Sequence, residues 1–125
     1  MAVTKLGAVV LDCPDPRALA EFYAGLLGGT VTRQHDAGDE WHVLVGADGA
    51  STLEFQQAPD HVPPKWPSSD GSQQFHLDLT VTVDLDTAER HALELGATLL
   101  DRGDPSRTWR VYADPAGHPF CLCAC

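Results

Sequence analysis

His76 and Asp78 stand two residues apart in the stretch Phe-His-Leu-Asp-Leu-Thr-Val-Thr-Val-Asp at 75–84. The strict alternation reads as a strand running into a helix. Leu77, Leu79 and Val81 then pack beneath the helix, while His76, Asp78 and Thr80 face the other way. A histidine and a carboxylate on one strand face suggest the wall of a pocket. Asp78 there acts either as a base or orienter, or as a tie to a neighbouring loop or helix end.

The elements that position this pair form an internal repeat. Leu27-Gly28-Gly29-Thr30 matches Leu95-Gly96-Ala97-Thr98 at a shift of 68, and Ala20-Glu21 matches Ala88-Glu89 at the same shift. Leu53-Glu54-Phe55 matches Phe120-Cys121-Leu122 at a shift of 67. Ala8 thereby becomes equivalent to His76, and Glu54 to Cys121. Matching the helix caps Asp15 and Asp84 needs a shift of 69, so the strand-to-helix turn differs by one residue between halves.

Each half reads strand, helix, strand, strand, strand. In the first, a strand at 6–12 leads to Asp15 as N-cap and Pro16 at the first helical position, where its missing N–H costs nothing. Leu19, Phe22, Tyr23, Leu26 and Leu27 fall on one helix face, and Gly28-Gly29 stops the helix. Strands follow at 30–34, 41–45 and 52–57, with turns at 36–40 and 46–50. In the second half a strand at 75–83 meets a helix capped by Asp84, with Leu85, Ala88, Ala92 and Leu95 inward and Gly96 at its end. Strands at 98–101, 108–113 and 120–125 complete it, the last after the tight turn Asp114-Pro-Ala-Gly-His-Pro119. Between the halves, 58–73 holds Pro59, Pro63, Pro64 and Pro67 and predicts no regular structure. Trp66 in that stiff segment either covers a core edge or lines a pocket.

The chain is of one-domain size at 125 residues, and 43% hydrophobic residues suit a folded globule. Eight basic against eighteen acidic residues give a net charge of −10, which argues against nucleic acid and anionic membrane as partners. No stretch approaches a membrane span. The start Met-Ala-Val-Thr-Lys lacks a signal peptide's apolar segment, so a cytoplasmic location is expected, with Cys13, Cys121, Cys123 and Cys125 as thiols. There is no Cys-x-x-Cys, nucleophile elbow, phosphate-cradling loop or dinucleotide fingerprint.

Taken together and in order, these markers resemble the vicinal oxygen chelate superfamily of glyoxalases, bleomycin-resistance proteins and extradiol dioxygenases. The matching residues are Asp15 with Phe22-Tyr23 and Leu27-Gly28, then His76-Leu77-Asp78-Leu79, Asp84-Leu85-Asp86, Leu95-Gly96-Ala97 and the segment from Asp114 to Phe120, which looks like the glyoxalase-like subgroup. The resemblance implies an α+β fold: two βαβββ modules forming a cupped eight-stranded mixed sheet around a pocket. It implies one domain over 1–125, with module one at 1–57, a linker at 58–73 and module two at 74–125, and a homodimer.

In metal-dependent members of that superfamily, ligands occupy the first and fourth strands of each half. The corresponding residues here are Ala8, Glu54, His76 and Cys121. Alanine cannot ligate, and cysteine does so only when deprotonated. His76, Glu54 and Cys121 could hold zinc, nickel, manganese or iron; alternatively, Glu54 and His76 bond each other or a ligand without metal. Three readings follow. One is a metal-independent small-molecule binder whose pocket uses Trp41, Trp66, Glu54, His76, Asp78 and Tyr112. Another is a metal-dependent lyase, isomerase or dioxygenase with Asp78 moving a proton. The third is a degenerate accessory domain. The incomplete ligand set favours the binder.

Trp41, Trp109 and Tyr112 fall on strands, and at least one of them is expected at the pocket. His118 reads as a turn-stabilising residue, and Arg107 and Arg110 as possible contacts for an anionic substrate. His35, His42, His61 and His91 show no metal spacing and are expected to be solvated.

Overall fold

A computed structural model of the chain describes residues 2, 6, 8–33, 40–49, 52–68 and 76–124. The predicted turn at 36–39, His35, the end of the linker at 69–73, Phe75 and Cys125 lie outside the described residues. The chain divides into two compact units, Met1–His61 and Val62–Cys125. Each holds one helix and one four-stranded mixed sheet, so the class is α+β.

In the first unit β1 (Val9–Cys13) leads to α1 (Pro16–Leu27), then β2 (Thr30–Arg33), β3 (Trp41–Val45) and β4 (Thr52–Gln57). The sheet order is β1-β4-β3-β2, with β1 parallel to β4 and the other pairs antiparallel. Asp15 caps α1 by accepting from the Ala18 amide at 3.1 Å. Leu19, Ala20, Phe22 and Tyr23 are buried, and the Tyr23 ring stacks on Phe55 of β4 at 5.8 Å. Phe55 therefore marks the face of the sheet that α1 covers, and its neighbour Glu54 points to the opposite face. Leu27, expected inward, is 46% exposed.

The second unit repeats the order with β5 (Leu77–Thr80), α2 (Leu85–Leu95), β6 (Thr98–Asp101), β7 (Trp109–Ala113) and β8 (Pro119–Cys123). Its sheet runs β5-β8-β7-β6, with β5 parallel to β8. Asp84 caps α2 through the Thr87 amide at 2.7 Å, and Gly96 closes it in a left-handed conformation. The inner face of α2 carries a charge that helical periodicity does not reveal. Glu89 is buried, accepts from the Tyr112 hydroxyl at 3.0 Å and pairs with Arg102 and Arg110. Burial and the Glu89 carboxylate raise the Tyr112 pKa. Tyr112 stacks on Phe120 at 5.6 Å, so these two rings define the α2 side of the sheet.

Cys13 and Cys121 are free thiols, but Cys123 is disulfide-bonded, which corrects the expectation of four thiols. Inferring redox state from compartment overlooks the close spacing of cysteines at the end of the chain. No helix among the described residues is long and apolar enough to cross a membrane.

Candidate functional site

The parallel pairing of β5 with β8 sets Asp78 opposite Cys121. Cys121 also pairs with Val111, one residue from Tyr112, so Asp78 and Cys121 share the face turned away from α2. Leu77 and Leu79 are half-buried, while His76, Asp78 and Thr80 are exposed, as the alternation predicts. His76 Nε2 lies 3.1 Å from Asp78 Oδ1. The Cys121 thiol approaches the same carboxylate from the buried side. One ligand atom from each of the three side chains lies within 4.8 Å of the others. Burial, then the charge and hydrogen bond of Asp78, push the Cys121 pKa up to about 11, so the group is a protonated thiol at neutral pH.

Trp66 completes this corner. Its ring meets the His76 ring edge-on, with centroids 5.7 Å apart. The approach is set by the turn before β8. Asp114 is buried and accepts from the amides of Ala116 at 2.8 Å and His118 at 3.0 Å. Gly117 in that turn has φ of 91°, and any side chain on it would run into the Pro63 ring. The Pro-rich segment thus lies directly on the turn, three residues before Trp66, and Trp66-Pro67 is a cis peptide. The Asp-Pro-Ala-Gly-His-Pro sequence therefore acts by holding a loop; His118 contributes its main chain to the turn.

The remaining sequence candidates have contacts of their own. Trp41 and Glu54 belong to the first unit, where the indole Nε1 donates to Glu54 Oε1 at 2.7 Å. Ala8 is half-buried just ahead of β1. Tyr112 points towards α2 and its hydroxyl is committed to Glu89, which takes it off the face carrying His76. Arg110 is likewise engaged with Asp86 at 2.9 Å and with Glu89. Arg107 lies over the Trp109 ring at 3.8 Å and donates to the Asp101 backbone and side chain. His42, expected in solvent, is only 5% exposed. It pairs with Phe55 across β3 and β4 and so faces α1.

The family model described as glyoxalase-like domain matches residues 8–123. The chain belongs to the glyoxalase-like domain family. A glyoxalase/bleomycin resistance protein/dioxygenase family enzyme from Burkholderia phytofirmans superposes with a TM-score of 0.71 at 18% identity, covering 95% of this chain and 97% of that one. A possible glyoxalase from Bacillus cereus gives 0.68 at 16% identity, covering 97% and 99%. Fosfomycin resistance protein FosX from Mesorhizobium loti gives 0.69 at 12% identity, covering 99% and 94%. At such identities the likeness is one of fold. No protein of curated function matches the sequence.

The ligand positions that the sequence resemblance implies raise the question of whether an ion fits the second unit. An imidazole, a carboxylate and a sulfur at this spacing form a zinc-type donor set. The fit requires Cys121 to give up its proton, against burial and the neighbouring Asp78 charge.

Proposed function

We propose that the protein is a metal-independent small-molecule binder of the glyoxalase-like family, with its ligand held at the His76, Asp78 and Trp66 corner. The observation that carries this reading is the double role of Asp78. Its carboxylate meets His76 Nε2 at 3.1 Å and faces the buried Cys121 thiol, so it offers the imidazole a partner while its charge, added to burial, favours the protonated thiol. Asp78 remains largely exposed and can accept further bonds from a ligand. The Trp66 ring beside it supplies an apolar wall. A carboxylate acceptor on a chain of charge −10 favours neutral or cationic ligands with N–H or O–H donors over anions.

Thermal-shift screening in the presence of chelator tests this reading. Bleomycin, cationic and rich in N–H donors, is a natural first probe from the description of one relative, followed by a panel of small aromatic amines, with fosfomycin, a phosphonate anion, as the probe expected not to stabilise. Stabilisation by at least one compound, abolished in His76→Ala and Asp78→Asn, is the expected result. Stabilisation that these substitutions leave intact would refute it. A homodimer, as the family suggests, belongs to the same reading and is tested by sedimentation.

A second reading rests on the 4.8 Å grouping of the donor atoms. Here His76, Asp78 and deprotonated Cys121 hold a zinc-type ion, which would polarise a substrate oxygen. Near-stoichiometric metal in protein purified without chelator, lost in Cys121→Ser, would favour it.

A further inference from the structure

Trp41 and Trp109 are equivalent positions of the repeat, related by the shift of 68 that relates the glycine ends of α1 and α2. Each opens the third strand of its unit and pairs with the fourth, Trp41 with Gln56 and Trp109 with Cys123. Each is followed by a side chain that faces the helix, His42 or Arg110. Both indoles therefore lie on the sheet face turned away from their own helix.

The second unit shows what this position on the scaffold accepts. The Arg107 guanidinium lies over the Trp109 ring, 3.8 Å from its centroid, and Arg107 Nη1 donates to Asp101 Oδ2 at 3.3 Å. Gly103 leaves room for that guanidinium, since a Cβ there would meet it. Ring, cation and carboxylate are all supplied by the chain.

The first unit keeps the ring and the carboxylate without the cation. Trp41 Nε1 donates to Glu54 Oε1 at 2.7 Å, which fixes the indole beside the carboxylate. Among the described residues, no guanidinium or ammonium lies over the Trp41 ring. The sequence supplies none nearby: 34–64 holds six acidic residues and no lysine or arginine, and the residue corresponding to Arg107 is Asp39. The second Glu54 oxygen keeps its lone pairs for another donor. Trp41 and Glu54 are half-buried, while Val10, Asp12, Thr32 and Gln56 on the same face are exposed, so solvent reaches this face. A cation over an indole is attracted by the ring quadrupole, and a carboxylate beside it adds a charge-assisted bond. A planar guanidinium makes both contacts at once.

We infer that the face of the first unit turned away from α1 carries a binding site for an alkylguanidinium cation, which stacks on Trp41 and donates to Glu54 as Arg107 stacks on Trp109 and donates to Asp101. The site uses no residue of the His76 corner.

Ethylguanidinium is the probe, titrated at constant ionic strength into the ¹⁵N-labelled full chain. The Trp41 indole N–H resonance, identified by its absence from Trp41→Phe, follows the binding. A saturable shift is expected. Glu54→Gln keeps an acceptor for the indole and removes the charge, so the affinity should fall about tenfold, the difference between a charge-assisted and a neutral bond. Trp41→Phe, followed through the backbone amides of β3 and β4, should weaken binding several-fold, because a phenyl ring attracts a cation less than an indole does. Ethylurea, neutral and of similar shape, should give no saturable shift. A shift that does not saturate, an equal response to ethylurea, or an affinity unchanged in Glu54→Gln would overturn the proposal.

Discussion

Asp78 and Cys121 face each other across the parallel β5–β8 pair, and burial, reinforced by the facing carboxylate, holds the thiol in its protonated form. The thiol is buried, and the negative charge of Asp78 beside it opposes its ionisation. The same carboxylate reaches outward to His76. A position that the resemblance assigned to metal ligation is thereby held as a neutral thiol beneath an exposed carboxylate–imidazole pair.

Alkylation of Cys121 should follow this coupling. With its pKa pushed up to about 11, its rate with iodoacetamide should be low near neutrality and climb through the strongly alkaline range. Asp78→Asn removes the charge but not the burial, so the rise should move to lower pH. Because the folded value lies above the ordinary thiol value, the associated stability is present below about 9 and is lost as pH rises towards 11. Peptide mapping of alkylated protein separates Cys121 from Cys13.

Gly117→Ala should destabilise the second unit by more than about 1 kcal/mol, since the residue has positive φ and its new methyl would meet Pro63. Loss of the Trp66–His76 contact should accompany it. Denaturant titration gives the stability, and a red shift in tryptophan emission reports the loosened loop.

Glu89→Ala leaves the Tyr112 hydroxyl and the half-buried Arg110 short of their partner, so it should cost about 3 kcal/mol. Tyr112→Phe removes one hydrogen bond from the same group and should cost about 1 kcal/mol. The double variant should fall short of the sum, because the two share one interaction.

Trp41→Phe removes the donor from Glu54 while keeping an aromatic ring on the strand. A loss of about 1–2 kcal/mol is expected, the range for a bond to a charged acceptor. Urea unfolding of the parent and Trp41→Phe proteins measures it; equal midpoints would mean that Glu54 is satisfied by solvent.

Much of the fold was legible because its signals are local. Asp15, Asp84, Pro16 and Gly96 mark helix ends by chemistry that acts within one turn, and both helices begin where these residues place them. The alternation at 77–80 sorted Asp78 from its apolar neighbours for the same reason. Tyr112 and His42 were not legible. Both lie on strands with bulky residues on either face, so the period-2 pattern of Trp41 to Val45 or Trp109 to Ala113 does not say which side meets the helix. Glu89 was missed because an apolar template rejects a carboxylate, and only the non-local arrival of Tyr112, Arg102 and Arg110 makes its burial tolerable. The contact of Asp78 with Cys121 depends on a parallel pairing between segments 43 residues apart, which no local pattern encodes.

The most direct test of the binding corner is calorimetric titration of chelator-treated protein with the compound that gives the largest thermal shift, repeated with added zinc and with His76→Ala. The account predicts saturable binding of the same affinity with and without zinc, lost in His76→Ala. Binding that requires zinc, and disappears in Cys121→Ser, would contradict it.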